Sequence, residues 1–149
     1  MSRVLIATDG SDFSIRAARR ALPLLREGHE LTVISVAPRP VGGSLMAGPE
    51  GAGFAPAPRV SEELEEAVER EAQANVDRTA EALGVAVVKR VERGDPRSVI
   101  CDVAGEGYDL VVIGSHGYGL LHRVMLGSVS NHVLHHAPAP VLVIRFDDD

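Results

Sequence analysis

Gly114-Ser115-His116-Gly117 is followed, after nine intervening residues, by Gly127-Ser128-Val129-Ser130. Residues of these types at this spacing can hold phosphate. Backbone N–H groups approach an anion closely only where side chains are small, and a helix N-terminus adds unpaired donors and a favourable dipole. The run Leu110-Val111-Val112-Ile113 before the first glycine reads as a buried strand, and the segment through Ser130 to His136 reads as helical. Strand, glycine loop and helix N-terminus together form an anion site, and the glycines are expected to supply both close approach and unusual dihedrals. Arg123, in the intervening loop, can add a charge-assisted contact or remain a solvated loop arginine.

Asp9 is the second chemical group, placed where the opening apolar run Val4-Leu5-Ile6-Ala7 gives way to Thr8-Asp9-Gly10-Ser11. A carboxylate before Gly-Ser can close a turn or cap a helix, and in some phosphatases it is a nucleophile. Those enzymes carry Asp-x-Asp, whereas Ser11 stands two residues after Asp9 here. His132 and His136 share a helix face as in some zinc sites, but no third ligand stands at a comparable spacing. A solvated or packed helix face is the reading for that pair.

The elements that must position these groups follow from periodicity. After the first strand, Ile15, Ala18, Leu22 and Leu25 recur at helical spacing over 12–26, with Pro23 as a bend and Gly28 suited to the end. A second strand covers 31–36. Residues 38–60 hold five prolines and five glycines and form a long loop, disordered or serving as a lid. Ser61 is the expected cap of a helix with Leu64, Val68, Ala72 and Leu83 near one face and Gly84 at its end. A third strand over 85–91, a helix capped by Asp95 with Pro96 at its first position, a fourth strand over 108–113 and a fifth over 140–144 complete the chain. Alternating strands and helices imply an α/β fold with a parallel sheet covered on both faces, ligands lying beyond the carboxyl ends of the strands.

Composition narrows the function. A net charge of −6, with one lysine, Lys89, against fourteen arginines, argues against nucleic-acid binding and excludes a lysine-dependent phosphate loop. The N-terminus has no signal-peptide pattern and no run approaches the ~18 apolar residues of a membrane span. A soluble, cytoplasmic protein in a reducing compartment is expected, with the lone Cys101 a buried structural thiol.

The spacing Gly114-x2-Gly117-x9-Gly127-Ser128 resembles the signature of the ATP-binding branch of the universal stress protein family. So do the first strand ending Thr8-Asp9-Gly10-Ser11, the second ending Ser35-Val36, the Gly94-Asp95-Pro96 turn, the Tyr108–Gly114 run and Pro140–Ile144. The resemblance implies a single doubly wound domain over 1–149, adenine nucleotide alpha hydrolase-like, with five parallel strands in the order 3-2-1-4-5. It implies adenine and sugar near Ala7, Thr8, Asp9 and the Val36 backbone, and ribose at Gly114. The phosphates would lie among His116, Gly117, Gly127, Ser128, Val129 and Ser130, with magnesium at Asp9. ATP and Mg2+ are the implied cofactors. A homodimer through the apolar edge strand Pro140–Arg145 is the implied assembly, with no downstream partner indicated. The implied function is a nucleotide-dependent stress or signalling regulator with at most slow hydrolysis. The alternatives are an ATPase or nucleotidyl-transferring enzyme, a regulator binding AMP or cyclic AMP, and an interaction protein without nucleotide.

Overall fold

The computed structural model describes residues 1–25, 27–39, 62–116 and 126–146. Five strands, β1 (Arg3–Ala7), β2 (Glu30–Ala37), β3 (Val88–Arg93), β4 (Leu110–Gly114) and β5 (Val141–Ile144), form one sheet. All neighbours pair in parallel, in the order β3-β2-β1-β4-β5. Helices α1 (Asp12–Ala21), α2 (Glu62–Leu83), α3 (Pro96–Ala104) and α4 (Ser128–His136) connect them. The fold class and strand order are those expected.

Successive strand residues point to opposite faces, and here each face carries its own apolar core. Val4, Ile6, Val33, Val112 and Ile144 pack with Ala17, Ala18, Ala21 and Val76 of α1 and α2. Leu5, Ala7, Ile34, Val111 and Ile113 pack with Ile100, Val103 and Val133 of α3 and α4. Burial on both faces is why these strands read as unbroken apolar runs. The chain winds from β1 to β2 on one side and places β4 on the other, so the order reverses between β1 and β4, where a crevice opens.

Several boundaries differ from expectation for local reasons. The helix expected over 12–26 ends at Ala21, and Pro23 sits in a 3-10 turn over Leu22–Leu24, because proline has no N–H to continue the α-helical ladder. Gly28 is therefore not at the helix end but in the turn into β2, at φ +92°. The third strand begins at Val88 rather than at residue 85 and runs on through Glu92 and Arg93. β3 is a sheet edge, so its charged end pairs through backbone without burying side chains. On α2, Ala72 and Leu83 are buried, but Leu64 is 48% exposed, and none of residues 62–71 is buried. The expected cap at Ser61 and nearly all of the 38–60 loop lie outside the described residues. Cys101 is half-buried rather than buried, and burial raises its thiol pKa.

At the amino end of the sheet, the Arg90 guanidinium donates to both Glu106 oxygens at 2.6 and 2.9 Å and to Glu92 at 2.7 Å. This ties the β3 edge to the α3–β4 turn. The Arg90 hydrogen bonds hold the Glu106 carboxyl below its ordinary pKa. A depressed folded-state pKa stabilises above the unfolded value, and that contribution disappears as pH falls through the folded one. Wild type is therefore expected to show a higher urea midpoint than Glu106→Gln at pH ~6, with the gap closing below the ordinary glutamate range. A gap independent of pH would contradict this.

Candidate functional site

The carboxyl ends of β1 and β4 and the amino end of α4 converge on the crevice between the two strands. Ala7, Thr8 and Asp9 close β1, Ile113, Gly114 and His116 close β4, and Ser128, Val129 and Ser130 open α4. With Ser14 of α1 and Ile100 of α3 they line a cavity of ≈ 230 Å³. Two hydrogen bonds hold the halves of the glycine motif together, and a third ties the first half to β5. Ser115 N–H donates to the Ile144 carbonyl at 2.8 Å, Gly127 N–H to the Ser115 carbonyl at 2.8 Å, and Ser130 Oγ to the Gly114 carbonyl at 2.6 Å.

The first backbone bond of α4 runs from Asn131 N–H to the Gly127 carbonyl at 2.9 Å, and no side chain caps this end. The N–H groups of Ser128, Val129 and Ser130 thus have no partner within the helix, and their residues line the cavity. His116 adds a further polar atom. Its Nδ1 lies 2.8 Å from Ser115 Oγ, while its Nε2 is shielded from solvent and has no hydrogen-bond partner among the described residues. Amides without an intrahelical partner at a positive helix end, in a cavity wall shared with an imidazole nitrogen that has no partner among the described residues, suit an anionic oxygen ligand. None of the described lining residues is lysine or arginine.

The glycines act differently from expectation. Gly127 has φ −59° and ψ 159°, which any residue adopts, and its N–H is already bonded. Its place is that of the helix cap, outside the cavity lining. Gly114 is not among the glycines at positive φ. A Cβ there would stand 3.2 Å from Ala17 Cβ, so its smallness lets α1 cross close over β4. Ser130 directs its one hydroxyl hydrogen to Gly114, leaving acceptor capacity and the backbone amide toward the cavity. Gly117 and Arg123 lie outside the described residues.

Asp9 does close a turn. Its Oδ1 accepts from Ser11 N–H at 2.9 Å and from Ser11 Oγ at 2.5 Å, and Ser11 in turn caps α1 by accepting from Ser14 N–H at 3.2 Å. Asp12 is the first residue of α1. Asp9 and Thr8 also border a second cavity of ≈ 310 Å³, between the ends of β1 and β2 and the side of α2. Val36 lies there, with Pro38, Val68 and Pro96 as apolar neighbours and Glu71 and Asn75 as polar ones. The expected set is thus divided between two adjoining hollows that share Thr8 and Asp9. Ser14, Ile100, Glu71 and Asn75 carried no sequence signal. A serine three residues after an N-cap and a polar residue on a helix look solvent-facing until the packing is known. His132 and His136 lie elsewhere, their rings stacked at 4.1 Å, with His136 Nδ1–H donating to the His132 carbonyl at 2.9 Å.

No described helix is long and apolar enough to cross a membrane. Comparison with known proteins agrees with the geometry. The sequence pattern of the Universal stress protein family matches residues 1–145. Universal stress protein MJ0531 of Methanocaldococcus jannaschii is 34% identical over 148 residues, covering 96% of this chain and 81% of its own. Universal stress protein UspA of Lactobacillus plantarum superposes with a TM-score of 0.72 at 25% identity, over 97% of each chain. A universal stress protein solved in complex with cAMP superposes with a TM-score of 0.59 at 25% identity, over 96% of each chain. On its strand order, its glycine-loop crevice and a match over nearly its whole length, this chain belongs to the universal stress protein family.

Proposed function

We propose that this protein binds an adenine nucleotide, ATP with Mg2+ foremost, as a member of the ATP-binding branch of its family. In this reading it acts as a nucleotide-dependent stress or signalling regulator. The observation that carries the proposal is the α4 N-terminus, without a side-chain cap among the described residues, lining the same cavity as His116. Those donors take the phosphates, Gly114 and Asp9 flank the sugar, and the apolar hollow at Val36, Val68 and Pro38 takes the base. Gly117 and Arg123 belong to the same proposed set.

The donor chemistry also fits Mg2+ in one particular way. Among the described residues no group of three or more His, Cys, Asp or Glu could hold a metal ion. A hard cation beside Asp9 must therefore draw its remaining oxygens from phosphate and water. Bound there, it would neutralise phosphate charge. Asp9→Asn keeps an oxygen acceptor for Ser11 but loses the charge. It is expected to abolish the Mg2+ dependence of ATP affinity, measured by calorimetric titration with and without the ion, while the fold is retained.

Binding rather than turnover is the proposed role. Phosphoryl transfer needs positive charge on the transferred group and an oriented nucleophile, and no lysine or arginine lines the described part of the first cavity. Slow hydrolysis is the most expected. AMP or cyclic AMP is the second reading, favoured by the family member solved with cAMP. Equilibrium titration with ATP, AMP and cyclic AMP, at millimolar ligand with and without Mg2+, tests the proposal. Saturable binding of one of them is expected, and failure of all three to bind would overturn it. The assembly we propose is a homodimer through Pro140–Arg145 in the cytoplasm, since β5 is an edge strand of the sheet among the described residues. A light-scattering mass of 15.8 kDa, that of one chain, would contradict the dimer.

A further inference from the structure

We propose that Thr79 of α2 is a positioning residue for the nucleotide site, acting through a buried chain of hydroxyls that ends at Asp9. This inference rests on the nucleotide-binding reading above. Thr79 is fully buried and lines neither cavity. It interrupts an α2 stripe otherwise made of Ala72, Asn75, Val76 and Leu83. A valine would fill the same space, so packing alone does not require a hydroxyl there.

Hydrogen-bond polarity shows what the hydroxyl does. Thr79 Oγ1 donates its one hydrogen to the Asn75 carbonyl at 2.8 Å, so toward Thr8 Oγ1, also at 2.8 Å, it can only accept. Thr8 must then donate to Thr79, and its oxygen is left to accept. It accepts from Gly10 N–H at 3.1 Å and lies 2.9 Å from Ser14 Oγ. Ser14 lines the first cavity and donates its one hydrogen to the Ser11 carbonyl at 3.0 Å, while Ser11 Oγ accepts from Ser14 N–H at 3.2 Å and donates to Asp9. Thr8, Ser11 and Ser14 are all buried. Thr79 therefore takes the Thr8 hydrogen, and the Thr8 oxygen so oriented holds the Gly10 amide of the Asp9–Gly10–Ser11 turn beside Ser14. Without its hydroxyl, the Thr8 hydrogen is left unpaired or must turn onto Ser14. Either outcome uncouples α2 from the turn.

The test compares Thr79→Val, which keeps the shape and loses the hydroxyl, with Thr79→Ser, which keeps the hydroxyl and loses a buried methyl. ATP with Mg2+ is titrated calorimetrically into each, and each is unfolded in urea in parallel. Thr79→Val is expected to bind about tenfold more weakly, the equivalent of one net hydrogen bond. Thr79→Ser should bind within about twofold of wild type despite its lost methyl, so that affinity follows the hydroxyl and not stability. Wild-type affinity in Thr79→Val, or losses in both variants that track their stability, would overturn the inference while leaving the nucleotide reading intact. Failure of unaltered protein to bind ATP, AMP or cyclic AMP would overturn that reading and this inference with it.

Discussion

Gly10→Ala is expected to destabilise the protein by about 2–4 kcal/mol, lowering Tm by roughly 5–12 °C. Two independent costs combine. Gly10 has φ +75°, and an L-residue in that region loses about 1–2 kcal/mol. Its Cβ would also lie 2.1 Å from Asn75 Oδ1 and 2.6 Å from an Arg78 guanidinium nitrogen, on α2. Asn75 is itself buried and accepts from Arg78 at 2.7 Å, so it has little room to retreat, and overpacking of this kind typically costs about 1–3 kcal/mol. The double variant Gly10→Ala/Asn75→Ala separates the terms. Truncating Asn75 removes the collision but not the backbone strain, so the pair should show a favourable coupling of about half the single-variant loss. Strict additivity in urea unfolding would show that α2 does not press on this turn.

That close approach also marks where sequence reading reaches its limit. Parallel strands buried on both faces announce themselves as runs such as Val4–Ala7 and Leu110–Ile113, and reversal of strand order at the crevice follows once the alternation is recognised. The α4 N-terminus was legible because Gly127-Ser128 precedes a helical pattern after a strand. The charged end of β3 was not, since edge pairing asks nothing of side chains. The glycines were found at their positions but for partly different reasons. Gly114 answers to Ala17 on another element rather than to a dihedral. Ser14, Asn75 and Thr79 stayed hidden because polar residues in an amphipathic pattern are assigned to solvent. Their burial depends on partners remote in the chain, Thr8 and Thr79 being 71 residues apart. Local periodicity carries no information about such pairs.

The prediction that most sharply separates binding from folding concerns the first residue of α4. Ser128→Asp places a carboxylate at the helix N-terminus, where negative charge is favourable, so stability should rise by about 0.3–1 kcal/mol. The same carboxylate would stand on the cavity wall among the donors proposed to receive phosphate. One unit charge ~4 Å from another at an effective dielectric near 20 is worth about 4 kcal/mol, and a triphosphate brings several charges. ATP affinity should therefore fall at least ~100-fold while Tm holds or increases. Most substitutions that disable a site also weaken the fold, and their loss of binding is then ambiguous. Here the helix dipole acts on both quantities with opposite sign, because the field that attracts a ligand phosphate equally attracts the substituted side chain. If Ser128→Asp is stabilised and still binds ATP as tightly as wild type, the anion lies somewhere other than the α4 N-terminus. Calorimetric titration alongside thermal unfolding of the same preparation distinguishes the outcomes, and raised salt should shrink both effects together.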